Sequence, residues 1–275
     1  MHSAGAPPAW STNGQVLAFS AMPADGSHGP DVYVWRPGDG EARAITSDHA
    51  SYFASWSGRR IVASRVNQTL GKSDSADVLT IVIDPVSLEE RRVRGPKMWL
   101  PVVDPDRAYA VAWHGRLDLT DALPTVVEGA LYIVDWVAMD PFGTADDTDP
   151  SARDALMAID PVRDPAANPV IDWNVRWSAN GLVVGIWESE APGAAWGKLR
   201  LLAFDPAAGE LSSDEPLLKP ILAKRGFTLG VDRVAWVAPS EDGTEGELRV
   251  RTWGVDGVGD LHIETLNLEE LVPSF

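Results

Sequence analysis

The chain has 275 residues, 45% of them hydrophobic, with 12 Trp against six Phe and four Tyr, no Cys, and a formal charge of −17. That charge excludes the basic stripes needed to hold nucleic-acid phosphates and argues equally against an anionic membrane surface, which leaves solubility as its plain meaning. Without cysteine there is neither a disulfide framework nor a thiolate metal site, and no apolar run approaches the ~18 residues that span a bilayer.

The start, "MHSAGAPPAW", has no basic n-region and no apolar h-region, so it does not read as a signal peptide. Periodic sequence begins almost at once. So abrupt a start suits a chain whose upstream anchor or signal has been removed, and an extracytoplasmic location, periplasmic or cell-surface, is expected in that case. The first element is "PPAWS", followed by "TNG" and the run "QVLAFS". Asn-Gly between apolar runs is a hairpin signal, because a type I′ turn needs two residues that tolerate positive φ. "DVYVWR" and "ARAIT" complete a quartet of short strands over residues 6–46.

The quartet then recurs. Residues 50–94 give "YFASWS", "RIVASRV", "DVLTIVID" and "ERRVR", with the turn reduced to Ser-Gly-Arg. Residues 97–168 give "MWLPVVD", "AYAVAW", "GALYIVDW" and "ALMAID"; residues 169–222 give "DWNVRWS", "LVVGIWE", "KLRLLAFD" and "LLKPIL". Here the opening motif returns as "WSANG" at 177–181. Residues 225–268 give "GFTLG", "RVAWVA", "ELRVRTW" and "LHIETLN", leaving the tail "LEELVPSF". Turns between third and fourth strands repeat too, as "WRPGDGEA", "IDPVSLEE" and "FDPAAGEL". Proline there removes a ladder donor and presets φ, so it ends the strand. Five such units of four strands, with negligible helix, predict an all-β, five-bladed β-propeller of four-stranded antiparallel blades in a single domain.

The pattern Trp-Ser-x-Asn-Gly, a small-residue-rich strand, then a strand ending before Asp-Pro, resembles the WD-like repeats of TolB-type β-propellers. Units two and three also resemble extracytoplasmic propeller segments of bacterial anti-sigma-factor-like proteins. "VVDPDRAYAV" and "TLGVDRVAWV" depart from the motif. The resemblance implies a periplasmic or cell-surface binding scaffold and brings no catalytic residues with it.

Propeller topology puts the connections between second and third strands on one face. These are the long ones, at 20–30, 66–76, 116–128, 188–197 and 238–246. Function concentrates on loops held by a rigid scaffold. Aligned inner strands place Tyr52, Trp99 and Trp173 at one register, with Phe227 near it and only Ala6 or Pro7 in the first unit. Those rings could line the mouth of a central channel and stack sugars or grip an apolar side chain. Equally they could pack between blades, which the Tyr52–Trp56 and Trp173–Trp177 spacings favour. Trp10, Trp56 and Trp177, at one repeated position, are expected to be buried.

Asp48, His49, Lys97, Asp172 and Arg225 fall in connections or at the starts of inner strands. The ligand-binding candidates are therefore Tyr52, Trp99, Trp173, Phe227, Asp48, His49, Asp172 and Arg225, for a protein, peptide or glycan. Asp48 and Asp172 could instead cap turns, and Arg225 could form an ion pair. No catalytic residue, metal or cofactor is assigned, apart from a weak calcium possibility in the acidic "GTADDTDPSARD" at 143–154. "GKS" at 71–73 lacks the upstream glycine of a phosphate loop, and the sequon "NQT" at 67–69 is a single match. The expected role is a monomeric, non-catalytic binding or sensory propeller. The alternative is a glycan hydrolase or lyase with paired carboxylates in the channel.

Overall fold

A computed structural model describes residues 6–22, 29–66, 78–93, 98–118, 125–137, 139, 156–158, 170–178, 181–189, 194, 196–205, 210–211, 218–230, 232–239 and 246–252. The chain divides into two compact units, Met1–Asp164 and Pro165–Phe275. The boundary falls at the end of the third repeat, and each unit is described by itself. No helix occurs among the described residues.

In the first unit, the first sheet holds β1 (Ala9–Trp10), β2 (Leu17–Ala21), β3 (Asp31–Trp35) and β4 (Arg43–Ala44). The second holds β5 (Ser51–Ser57), β6 (Arg60–Val66), β7 (Val78–Ile83) and β8 (Glu90–Arg92). The third holds β9 (Trp99–Val103), β10 (Tyr109–Asp118), β11 (Thr125–Asp135) and β12 (Leu156–Ala158). All three are antiparallel with strands in chain order, as the quartets predict.

The turns show what the repeated motif is for. Ser11 N–H donates to the Val16 carbonyl and Gly14 N–H to the Ser11 carbonyl, both at 2.7 Å. Ser11 Oγ accepts from Val16 N–H at 3.0 Å. The third sheet repeats this with other residues. Asp104 N–H donates to Tyr109 O, Arg107 N–H to Asp104 O, and Tyr109 N–H to Asp104 Oδ1 at 3.1 Å. Gly14 and Arg107 hold the same left-handed place, with φ of 68° and 63°. The expected type I′ turn at Asn13–Gly14 is not formed, since Asn13 keeps a negative φ. The reason is local: its Oδ1 accepts from Ser11 Oγ at 2.8 Å and from Gln15 N–H at 3.2 Å, which organises a six-residue connection between the paired Trp10 and Leu17. Two-residue hairpins do join Ser57 to Arg60 and Ser178 to Gly181. In the first, Gly58 alone has positive φ, the pattern of a type II′ turn. Asn180 lies outside the described residues.

The second sheet is buried on both faces. Phe53, Ile61, Ala63, Ile81 and Ile83 pack against Ala18, Val32 and Val34 of the first sheet. Ala54, Val62 and Val82 pack against Ala110, Ala112, Val134 and Trp136 of the third. This explains why its strands read as continuous apolar runs rather than alternating ones. Serines inside the small-residue strands tie neighbouring sheets together. Ser20 Oγ accepts from Phe53 N–H at 2.6 Å, and Ser55 Oγ donates to Pro101 O at 2.7 Å while accepting from Val103 N–H at 3.1 Å. A larger residue at either position would remove the bridge and force the sheets apart.

In the second unit, the fourth sheet holds β13 (Val170–Ser178), β14 (Gly181–Ser189), β15 (Trp196–Asp205), β16 (Glu210–Leu211) and β17 (Leu218–Lys224). Both β16 and β17 pair with β15, at Phe204–Asp205 and Trp196–Leu201 respectively. The expected fourth strand, "LLKPIL", is present as β17, and β16 is an additional two-residue strand. The fifth sheet holds β18 (Phe227–Leu229), β19 (Arg233–Pro239) and β20 (Gly246–Thr252). Its expected fourth strand, "LHIETLN", and the tail lie outside the described residues, as do Lys97, the sequon, "GKS" and the acidic 143–154 segment.

Two expectations need correction. Residues 116–118 and 125–128 are strand, because β10 and β11 stay paired out to Asp118–Thr125 past a bulge at Arg116/Leu117; residues 119–124 lie outside the described residues. The alternation of "RLD" and the β-branched "TVV" sustain the ladder there. Trp10 is 47% exposed, and Trp56 and Trp177 are only half-buried. Trp10 ends a two-residue strand, and its ring meets that of Trp35 edge to face at 6.1 Å. The buried tryptophans of the first unit are instead Trp99, Trp113 and Trp136, and those of the second Trp187 and Trp236.

Candidate functional site

Antiparallel order puts the connection between second and third strands at the same end of each sheet as the link to the next sheet. In the first unit that end carries Asp31, the first residue of β3, and residues 46–51. Asp31 is almost completely buried, and its carboxylate is fully engaged. Oδ1 accepts from Thr46 Oγ1 at 2.8 Å and from His49 N–H at 3.2 Å, while Oδ2 meets His49 Nδ1 at 2.8 Å. Thr46 Oγ1 in turn accepts from Val32 N–H at 2.9 Å. His49 adopts a left-handed φ of 55°, a conformation that a bulky residue keeps only when its surroundings fix it. Sequence reasoning missed Asp31, because "PDVYVW" reads simply as a strand start.

Asp48 caps the next strand, as the turn-capping reading has it. Its Oδ1 accepts from Ala50 N–H at 2.9 Å and its Oδ2 from Ser51 Oγ at 2.8 Å. Arg65 on β6 reaches Asp48 Oδ2 at 2.6 Å and holds Glu90 on β8 with two bonds, at 2.5 and 2.7 Å. Burial opposes the Arg65 charge, but the bonds to Glu90 and Asp48 outweigh it and raise the guanidinium pKa. The cluster staples three strands of one sheet.

Tyr52 and Trp99 are brought together edge to face, with centroids 4.9 Å apart. They are 2% and 5% exposed, so their faces are spent on packing between the second and third sheets. Burial pushes the Tyr52 phenol up to about 12. Its unfolded counterpart titrates near 10, so above pH 10 the unfolded chain loses a proton that the folded chain retains. Stability is therefore full below pH 10 and falls between pH 10 and 12, by about 2–3 kcal/mol from this group. Urea midpoints measured across that window should fall more steeply for the parent than for Tyr52→Phe. Equal slopes would show that the phenol is not desolvated.

In the second unit Arg225 forms an ion pair, as the alternative reading expects, and its partner is Asp172, with Nε to Oδ2 at 3.5 Å. Asp172 Oδ1 also accepts from Trp173 N–H at 3.0 Å. Desolvation raises the Asp172 pKa against the opposing pull of Arg225. Trp173 is half-buried. Phe227 lies against Gly185, where its ring fills the place a Cβ would take. Among the described residues no group of three or more His, Asp or Glu is placed to hold a metal ion, and no helix is long and apolar enough to cross a membrane.

No protein-family model and no curated protein matches the chain. Among solved structures, it is similar to TolB from Acinetobacter baumannii at 14% identity and a TM-score of 0.50, covering 90% of this chain and 51% of that one. A putative TolB from Agrobacterium tumefaciens matches at 18% identity and 0.50, covering 90% of this chain and 73% of that one. An oligogalacturonate lyase in complex with manganese matches at 11% identity and 0.52, over 89% of this chain and 61% of that one. The chain thus spans about half the length of the first of these. At these identities the likeness establishes a TolB-like β-propeller fold.

Proposed function

We propose that the five sheets are blades of one propeller and that the chain is a non-catalytic binding or sensory scaffold, acting outside the cytoplasm as a monomer. It recognises a protein, peptide or glycan at the ends of the sheets where second and third strands connect. The observation that carries this reading is the engagement of the candidate carboxylates. Asp48 is taken up by Arg65, Ser51 and a backbone N–H, and Asp172 by Arg225. An acid–base pair for glycan cleavage needs one carboxyl poised to donate and one free to attack or activate water. His49 in the first unit and Asp172, Trp173 and Arg225 in the second remain partly exposed for contact, whereas Tyr52 and Trp99 are buried against each other.

The test pairs two measurements. A photo-crosslinking residue at position 194, between β14 and β15, should capture a partner from a cell-envelope extract, and the same residue at position 13 should not. Incubation with oligogalacturonate should yield no unsaturated product. Turnover abolished by Asp48→Asn or Asp172→Asn would replace the binding reading with the enzymatic one.

A further inference from the structure

We propose that the fifth sheet carries a binding site for a monoanionic carboxylate, formed by Trp236, Arg249 and Arg251. Register sets Trp236 opposite Arg249, and Val234 opposite Arg251. The three side chains therefore share the face that also carries the buried Val234 and Ala238. Directly opposed residues on one face stand ~4.5–5.5 Å apart at Cβ and diagonal ones ~7–8 Å. The indole and both guanidinium groups can thus reach a single small ligand.

What singles this face out is a set of donors without acceptors. Trp236 is 4% exposed, and its Nε1–H has no hydrogen-bond partner. The Nε–H groups of Arg249 and Arg251 are also buried and also lack one. Buried donors are nearly always satisfied in native proteins, and those that are not call for a partner. A carboxylate is acceptor-only and offers about four lone-pair sites on two oxygens, enough for all three donors.

Charge balance chooses among oxyanions. Arg249 Nη2 already holds Glu247 Oε2 at 3.0 Å, and Arg233 Nε holds Asp232 Oδ1 at 2.8 Å. Arg251 has no carboxylate partner among the described residues, and its charge is disfavoured by desolvation alone. One uncompensated positive charge in partly desolvated surroundings matches one negative charge, which favours a carboxylate over a phosphate dianion. The site shares no residue with the recognition surface proposed above and stands independently of it.

The experiment is thermal unfolding of the full chain in acetate, phosphate and chloride at matched ionic strength, for the parent, Arg251→Met and Arg251→Lys. Each effect is read as the difference between parent and variant, which cancels general salt effects on burial. Acetate should raise the parent's Tm by several degrees over chloride and leave Arg251→Met unmoved. Arg251→Lys, which keeps the charge but loses the Nε–H, should show less than half the parent's rise. In chloride alone Arg251→Met should be at least as stable as the parent. If that variant does not fold, the parent's acetate response and its reduction in Arg251→Lys decide the matter. No acetate effect on the parent, an equal effect on the variants, or a larger Arg251-dependent effect of phosphate would overturn the assignment.

Discussion

Trp187→Ala is expected to unfold at a much lower urea concentration than the parent, with a loss of about 3–5 kcal/mol. Trp187 is buried on β14 within the cluster formed by Val183, Leu199, Leu201, Ala223, Leu229, Val234 and Trp236. Its Nε1–H donates to the Ala223 carbonyl at 2.9 Å, so the ring both fills the core and fastens β17. A Cβ on Gly197 would sit 2.6 Å from the Trp187 ring, so the opposing strand gives up its own side chain to admit the indole. Truncation leaves a cavity among neighbours held on five hydrogen-bonded strands, and it strips a buried carbonyl of its donor. Trp177→Ala is the internal control: that ring is only half-buried and should cost far less. Equal losses in the two variants would mean that the cluster does not depend on the indole.

Removing the Asp31 carboxylate is the second change with a large expected effect. Asp31→Ala leaves the buried Thr46 hydroxyl, the His49 N–H and the partly exposed His49 ring without their shared acceptor. Leaving a buried donor without its acceptor costs about 1–3 kcal/mol. The damage should be local as well as global. Asp31 engages His49 twice in its left-handed conformation, and the neighbouring bond from Ser51 N–H to Pro30 O, at 3.1 Å, closes the same connection. Hydrogen exchange at His49 and Ser51 should therefore accelerate by more than the global loss accounts for. Asp31→Asn, which keeps an acceptor oxygen, should fall between alanine and the parent. An Asp31→Ala protein with parental midpoint and exchange would show that the carboxylate does not organise residues 46–51.

The candidate site was legible only in part. The capping role of Asp48 follows from residue type at a strand entrance, where a short carboxylate has backbone N–H groups within reach, whereas the sequence left the partner of Arg225 unnamed. Asp31 was invisible because its role depends on Thr46 and His49, 15 and 18 positions later. No local pattern encodes that return. The aromatic register that aligned Tyr52 with Trp99 correctly brought the two rings together. It could not say whether they face a channel or each other, since burial depends on the neighbouring sheet.

What the sequence determined by itself was the strand quartets of the first three sheets, the antiparallel order and most of the places where the strands turn. Alternation of period two, Gly at left-handed positions and Pro beyond strand ends all act within a few residues. Tertiary structure alone decided which tryptophans are buried, that the fourth sheet gains the additional strand β16, and which charges lack partners. Trp10 and Trp136 both stand at the end of a strand, yet one is exposed and the other fully enclosed. The difference is that Trp136 has another sheet's Ser57 within hydrogen-bond reach, and burial is a property of the pair of sheets rather than of either strand.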